Sequence, residues 1–267
     1  MKKLILTILA GSFLLSCSSD SSNNDSNNPS STGLLLKTVN YGNGVVTYSY
    51  NGNKLTGSIN SNGSYGTATY NGDFVSQIAD FNPDNTSYVT NYTYSNNRLS
   101  TKNISTNYAN PPYTENSTFT HNVDGSVTEN KTRTTSTGVV SQKKYIYYFT
   151  SGNLTKKEEF NSAMTLTYTT TFTYDNKNSY VKNITGFIFL NGLDGFGSTQ
   201  AHNETGYVKT NNITGNIEET EQITYTYNSQ DYPISMINTS TSYYFNPQTN
   251  TNTPSTPQTY SETYTYY

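Results

Sequence analysis

The chain is 267 residues long and carries 15 basic and 18 acidic side chains, giving a formal net charge of −3. This balance, without a basic cluster, excludes a nucleic-acid partner. One cysteine allows no intramolecular disulfide, and an apolar content of 32% argues against a thick core built of helices.

The amino terminus has the features of a bacterial lipoprotein signal. Met1-Lys2-Lys3 is cationic, and residues 4–15 form an apolar run that fits a signal-peptide core and is shorter than the ~20 residues of a spanning helix. Leu14-Leu15-Ser16-Cys17 resembles a lipobox. We therefore predict that residues 1–16 are removed and that Cys17 carries acyl chains such as palmitate, which anchor the protein to a membrane. The alternative is an ordinary secretory signal, in which the only cysteine falls here by chance.

Residues 17–32 are predicted to be the lipidated cysteine followed by a flexible tether. Residues 18–32 are Ser, Asn, Asp, Pro and Thr, with no side chain that could form a core. Ser18, by analogy with the sorting rule of enteric bacteria, predicts an outer-membrane lipoprotein. Asp20 and Asp25 are too few to decide between the periplasmic and the surface face.

Residues 33–267 are predicted to be a single all-β domain. The chain has 26 tyrosines and many threonines, both of which favour strands. Between 164 and 174, Leu166, Tyr168 and Phe172 alternate with threonines, which is the period of a strand with two different faces.

An internal repeat organises this domain. In Tyr48-Ser-Tyr50-Asn51-Gly52-Asn53-Lys54-Leu55, two aromatic residues precede an Asn/Gly turn, and an aliphatic residue follows. Such units predict an antiparallel meander of hairpins that forms one strongly curled sheet, an open half-barrel or a barrel-like structure. The long gap between positions 174 and 227 is predicted to conceal a further copy. The second aromatic positions are 50, 70, 94, 121 (a histidine), 149, 174, 227 and 266.

The repeat resembles the YD repeats of Rhs-type proteins, whose hairpins stack into a long curling sheet. The whole layout is similar to a family of bacterial lipoproteins of unknown function described as having a porin-like fold. Phe172-Thr173-Tyr174-Asp175-Asn176-Lys177-Asn178-Ser179-Tyr180 matches that family's Tyr-Asp-x-Lys-x-Asn-Pro-Phe segment, with Ser179-Tyr180 in place of Pro-Phe. The resemblance implies a curled all-β sheet and transfers no active residues.

Residues able to support catalysis or metal binding are sparse. His121 occupies an aromatic position of the repeat and is interpreted as an aromatic substitute, and His202 is distant in sequence. We predict no metal site, no cofactor and no catalytic residues, because no ligand set, nucleophile elbow or phosphate loop is present. The acidic runs 158–159 and 218–221 are interpreted as solvated strand faces or edge charges.

Two features suggest binding. Residues 184–190 are the most apolar part of the domain and are interpreted as a cap or plug on the concave side of the sheet, or else as the lip of a binding groove. Tyrosines stack on sugars, and Tyr92, Tyr94, Tyr225 and Tyr227 are the candidate ligand-facing aromatic residues. The absence of tryptophan argues against a dedicated carbohydrate-binding module.

We expect a non-enzymatic cell-envelope lipoprotein with a binding or structural role, and with a glycan or an envelope protein as partner. One alternative is an integral outer-membrane barrel. The residues Tyr264-Thr265-Tyr266-Tyr267 resemble the aromatic carboxyl end of such barrels. The threonine-rich second face does not match the apolar band of such a barrel. The other alternative, an envelope hydrolase, has no recognisable catalytic constellation.

Overall fold

The computed structural model describes residues 33–108, 111–194, 201–246, 248 and 251–267. The predicted signal peptide, Cys17 and the tether lie outside the described residues, so their assignment stays a prediction. Within those ranges the chain is almost entirely β-strand, with one short 3₁₀ turn at Phe187–Phe189. No helix in the described ranges combines the length and the apolar character needed to cross a bilayer.

Seventeen strands follow one another in the part of the chain that the structure describes. They are Leu36–Asn40 (β1), Val45–Asn51 (β2), Lys54–Asn60 (β3), Tyr65–Asn71 (β4), Phe74–Phe81 (β5), Ser87–Ser95 (β6), Arg98–Thr106 (β7), Tyr113–His121 (β8), Val127–Thr135 (β9), Gly138–Thr150 (β10), Asn153–Phe160 (β11), Leu166–Tyr174 (β12), Glu204–Asn211 (β13), Ile217–Tyr227 (β14), Pro233–Asn246 (β15), Thr251–Pro254 (β16) and Gln258–Tyr266 (β17).

The sheet is an antiparallel meander that closes on itself. Strands β1 to β15 pair in sequence order, β15 pairs with β17, and β17 pairs with β1, with Val39 opposite Tyr264. Strand β16 pairs with the end of β15, outside this ring, so sixteen of the seventeen strands form the barrel. The predicted meander is confirmed, and the curled sheet is a closed barrel. Closure leaves no unpaired strand edge in the ring.

The strand alternation separates an inner from an outer surface. On β8, Glu115, Ser117 and Phe119 are buried inside, whereas Thr114 and Asn116 are exposed outside. The same division holds on β12, where Phe172 faces inward and Thr171 and Thr173 face outward. Most of the buried apolar and aromatic side chains of the strands therefore lie inside the barrel, and many threonines lie on its outer surface.

The repeat has a defined place in the barrel. In the first five copies the second aromatic position lies opposite an aliphatic residue across its hairpin, as in Tyr50 with Leu55 and Tyr94 with Leu99, whereas Tyr174 lies opposite Glu204. One extra residue, such as Thr56 or Ser100, produces a β-bulge at this point. The Ser100 hydroxyl donates to the Thr93 carbonyl at 3.0 Å. Alternating aromatic and aliphatic residues thus form a ring at one end of the barrel.

Hydrogen bonds connect neighbouring repeats in this ring. The Tyr50 hydroxyl donates to the Leu36 carbonyl at 2.9 Å, and the Tyr70 hydroxyl accepts from the Leu55 amide at 3.1 Å. His121 Nε2 lies 2.9 Å from the Leu99 carbonyl. The interpretation of His121 as an aromatic substitute is therefore supported, because its ring makes the same kind of bond to a neighbouring hairpin.

The prediction of a concealed repeat copy is wrong. Eight of the sixteen barrel strands end at the barrel end that carries the aromatic residues, and each of these eight strands contains one of the eight observed copies. These strands are β2, β4, β6, β8, β10, β12, β14 and β17. The long gap instead contains the connection between β12 and β13. We call its described part, residues 175–194 and 201–203, the plug. The end of the barrel where it lies is called the plugged end, and the opposite one the far end.

Candidate functional site

The plug closes one end of the lumen. Val181, Ile184, Phe187, Leu190 and Leu193 are buried in the same core as the inward side chains of the strands. This confirms the interpretation of residues 184–190 as a plug. The sequence signal was an apolar segment that broke the tyrosine alternation.

Main-chain contacts fix the plug against the hairpin turns at this end. The Thr185 amide donates to the Asn53 carbonyl at 2.9 Å. Gly186 has φ +87°, and a Cβ built there would lie 2.7 Å from the Asp73 carbonyl oxygen. Only glycine tolerates both the backbone conformation and this close approach. The Asn183 side chain donates to the Leu34 carbonyl at 2.8 Å.

A buried polar network attaches the plug to the barrel wall. The Lys102 ammonium, 3% exposed as a residue, donates to the Leu193 carbonyl at 2.7 Å and lies 3.6 Å from the Glu129 carboxylate. Glu129, 1% exposed, accepts hydrogen bonds from Ser117 and Tyr147, each at 2.5 Å. Buried charges of this kind are stable only when they are paired and hydrogen-bonded.

These charges shift the ionisation of the buried groups. Burial raises the pKa of Glu129, but the charges of Lys102 and Lys131 and its two hydrogen bonds hold that pKa below its usual value of 4.5. Burial also lowers the pKa of Lys102. Burial raises the pKa of Tyr147 well above 10, so this side chain is the neutral donor to Glu129.

Further charges line the lumen toward the far end. Glu115 accepts from Lys131 at 3.1 Å and pairs with Arg133 at 2.6 Å, and Lys143 pairs with Glu159. The side chains of Arg133 and Lys143 face inward and are each 43% exposed. Water therefore reaches the lumen wall beyond the plug.

The predicted positions of the acidic residues on solvated strand faces were only partly correct. Glu158 faces outward and pairs with Lys156, as expected of a solvated face. Glu159 and Glu221 face the lumen, and Glu221 is only 8% exposed. The correction follows from strand alternation, because adjacent acidic residues in a strand necessarily point to opposite faces.

The four predicted ligand-facing tyrosines point inward from opposite walls. Tyr92 and Tyr94 lie on β6, and Tyr225 and Tyr227 lie on β14, eight strands away in a ring of sixteen. Tyr92 is only 4% exposed. The Tyr225 hydroxyl donates to the Glu204 carbonyl at 3.0 Å. Their ligand-facing role stays a prediction.

Potential metal ligands and histidines were compared across the described residues. They contain no group of three or more His, Cys, Asp or Glu residues placed to hold a metal ion. His202 Nδ1 lies 3.0 Å from the Asn153 side-chain amide, and His121 is engaged by the Leu99 carbonyl. A hollow of about 390 Å³ beside His121 is lined by the β6–β7 turn and includes Arg98 and Phe119.

Comparison with known proteins identifies the fold. A porin-like protein from Bacteroides vulgatus ATCC 8482 superposes with a TM-score of 0.55 at 10% sequence identity, covering 88% of this chain and 99% of that chain. A porin-like protein from Bacteroides uniformis ATCC 8492 gives a TM-score of 0.48 at 15% identity, covering 88% and 95%. No family model matches the chain, and a search of curated proteins gave no significant match. The chain has a porin-like barrel fold.

Proposed function

We propose that this protein is a non-enzymatic, lipid-anchored protein of the outer membrane whose barrel lies in the aqueous phase and binds a ligand in its lumen. The observation that carries this proposal is the polar outer surface. The barrel is closed, the plug packs into one end of its lumen, and the buried apolar core lies inside.

The middle of the barrel carries outward-facing amides where a membrane protein would need apolar side chains. Gln77, Asn91, Asn103 and Asn116 lie in register across β5 to β8. The Gln77 amide donates to Asn91 at 2.9 Å. Outward apolar residues such as Ile59 and Ile237 are interspersed with these polar side chains. A lipid-facing belt is a continuous apolar band, so this surface supports contact with water.

The position of residue 33 supports one orientation of the barrel relative to the membrane. The start of β1 lies at the plugged end, where the Asn183 side chain contacts the Leu34 carbonyl. A tether of residues 17–32 would have a maximum reach of about 50 Å. Lipid at Cys17 would therefore hold the plugged end nearer the membrane and leave the far end facing the aqueous phase.

The integral outer-membrane barrel is the second candidate. Ring closure and the porin-like fold favour it. It requires the threonine and amide surface to face lipid, which costs free energy for each buried amide.

Membrane extraction separates the two candidates. Three proteins are compared: the wild type, Cys17→Ala, and a chain in which an ordinary cleavable secretory signal replaces residues 1–17. The third variant removes the anchor even if Cys17→Ala blocks signal cleavage. We expect palmitate labelling only in the wild type, and recovery of the third protein in the soluble fraction.

Retention of the third protein in the membrane, with release only by detergent, would establish the integral barrel and contradict the proposal. Loss of labelling in Cys17→Ala is the control that identifies the acylated residue. A folded barrel in the soluble fraction, verified by a strand-type circular dichroism spectrum, excludes a trivial release of unfolded chains.

A further inference from the structure

Cationic side chains are concentrated in one part of the lumen. Lys131, Arg133, Lys143, Lys157 and Lys209 all face inward from the neighbouring strands β9, β10, β11 and β13. By contrast, Lys156, the neighbour of Lys157, faces outward. The same part of the inner wall carries the carboxylates of Glu129 and Glu159, and Glu115 and Glu221 lie on the adjoining strands, so any excess of positive charge is local to the positions around Lys157 and Lys209.

Two of these cations have no ion pair among the described residues. Glu115 pairs with Lys131 and Arg133, and Glu159 pairs with Lys143. Lys157 and Lys209 have no carboxylate at ion-pair distance in the described ranges. Glu219 is opposite Lys209 in the register, but no ion pair joins the two side chains.

The register places these two lysines in one row. Lys157 is opposite Thr170, and Thr170 is opposite Lys209, so two cations flank one threonine on the same inner face. Two strand spacings separate their backbones by roughly 10 Å. The next row toward the far end has Tyr145 and Tyr168 on either side of Glu159.

Each lysine lies over a tyrosine ring. The Lys157 ammonium is 5.5 Å from the Tyr145 ring centroid, and the Lys209 ammonium is 4.4 Å from that of Tyr168. We call Lys157, Thr170, Lys209, Tyr145 and Tyr168 the lysine–tyrosine wall. Burial lowers the pKa of Lys157, and the charges of Lys131 and Lys209 lower it further against the opposing effect of Glu159 and Glu129. An anion placed between the lysines would relieve this repulsion.

We propose that the lysine–tyrosine wall binds an acidic sugar, a glycan that carries a carboxylate or sulfate group. Its anionic group would lie between Lys157 and Lys209 and accept a hydrogen bond from Thr170, while a sugar ring stacks on the face of Tyr168 that Lys209 leaves open. The ligand would enter from the far end, where the inward side chains are exposed to water. This inference rests on the proposed binding function and specifies its ligand class.

The test is isothermal titration calorimetry on the full mature chain in mild detergent. The probes are oligogalacturonate, a neutral oligosaccharide of the same length, and sodium sulfate. The variants are Lys157→Met and Lys209→Met, with Lys156→Met as the matched control that removes the adjacent, outward-facing charge. We expect binding of the acidic oligosaccharide alone, weakened by about tenfold or more in each inward variant and by less than about twofold in the control.

Three results would overturn the assignment: equal affinity of Lys157→Met and the wild type, equal affinity for the neutral oligosaccharide, or equal affinity for a poly-glutamate peptide. Circular dichroism checks that each variant is folded. Lys157→Arg keeps the charge and should retain binding even if Lys157→Met is unstable. Membrane extraction is read independently of binding, so failure of this ligand assignment and failure of the lipid-anchored proposal are distinguishable.

Discussion

Single residues in this barrel have roles that depend on which face of the sheet they occupy. Lys156 and Lys157 are adjacent, yet the first is in an outward pair with Glu158 and the second faces the lumen. Alternation of faces was predictable from the sequence. Which face is the lumen was not predictable for charged residues, because it depends on how the whole sheet curls.

Glu129 provides a prediction on acid stability. Its pKa is held below the usual 4.5 in the folded protein, so its contribution to stability is present above that value and is lost as pH falls through the lower folded pKa. We expect the free energy of unfolding in urea to fall from pH 7 to pH 3, and to fall less steeply in Glu129→Gln.

At neutral pH, Glu129→Gln should also be roughly 3–5 kcal/mol less stable, because Lys102 loses its buried partner. Glu158→Gln, an outward carboxylate, is the control and should change the free energy of unfolding by no more than about 1 kcal/mol. Parallel pH curves for the wild type and Glu129→Gln would contradict the role assigned to the buried carboxylate.

At the scale of elements, the hairpins were predictable and the plug was only partly so. The aromatic pair, the Asn/Gly turn and the following aliphatic residue define a local unit, and a signal for the bulge was also present in the Ser or Thr after Leu55, Leu99 and Leu154. The contacts of the plug with distant turns are non-local, so no sequence pattern specifies them.

Gly186 tests how tightly the plug is held. Gly186→Ala places a Cβ in a left-handed backbone conformation and against the Asp73 carbonyl. Gly42→Ala is the matched control, since Gly42 has a similar φ of +81° and no atom within 4 Å of the added Cβ. We expect the control to cost about 1–2 kcal/mol and Gly186→Ala about 1–3 kcal/mol more, measured by urea unfolding. Equal losses would show that the close approach is unimportant.

At the scale of the whole molecule, the fold class and the meander were predictable, whereas complete closure was not. Closure depends on the pairing of β1 with β17, and the sequence contains no local pattern that joins these strands. The outward threonines and amides of the strands acquire their meaning only once the barrel is closed, because closure determines which surface contacts water.

The β1–β17 pairing also determines the order in which the molecule can fold. Most strand contacts form between sequence neighbours, but Thr38 and Thr265 meet across a separation of 227 residues. Hairpins can form rapidly, whereas this junction has the largest loop entropy to overcome and should be completed late. Ligating residue 33 to residue 267 would make the junction local, and the Tyr267 amide is already 3.0 Å from the Leu35 carbonyl.

We therefore expect the cyclised domain to refold faster than the linear one in stopped-flow fluorescence, and to be more stable by on the order of 4–5 kcal/mol. Cutting the cyclised chain between residues 136 and 137 should remove both the faster refolding and the added stability. After this cut, β9 and β10 become the pair of strands that are far apart in sequence. Equal refolding rates for all three chains would place the slow step elsewhere. Until that last junction forms, the nascent barrel is an open sheet with two free edges, and this is the stage at which it is most vulnerable to aggregation.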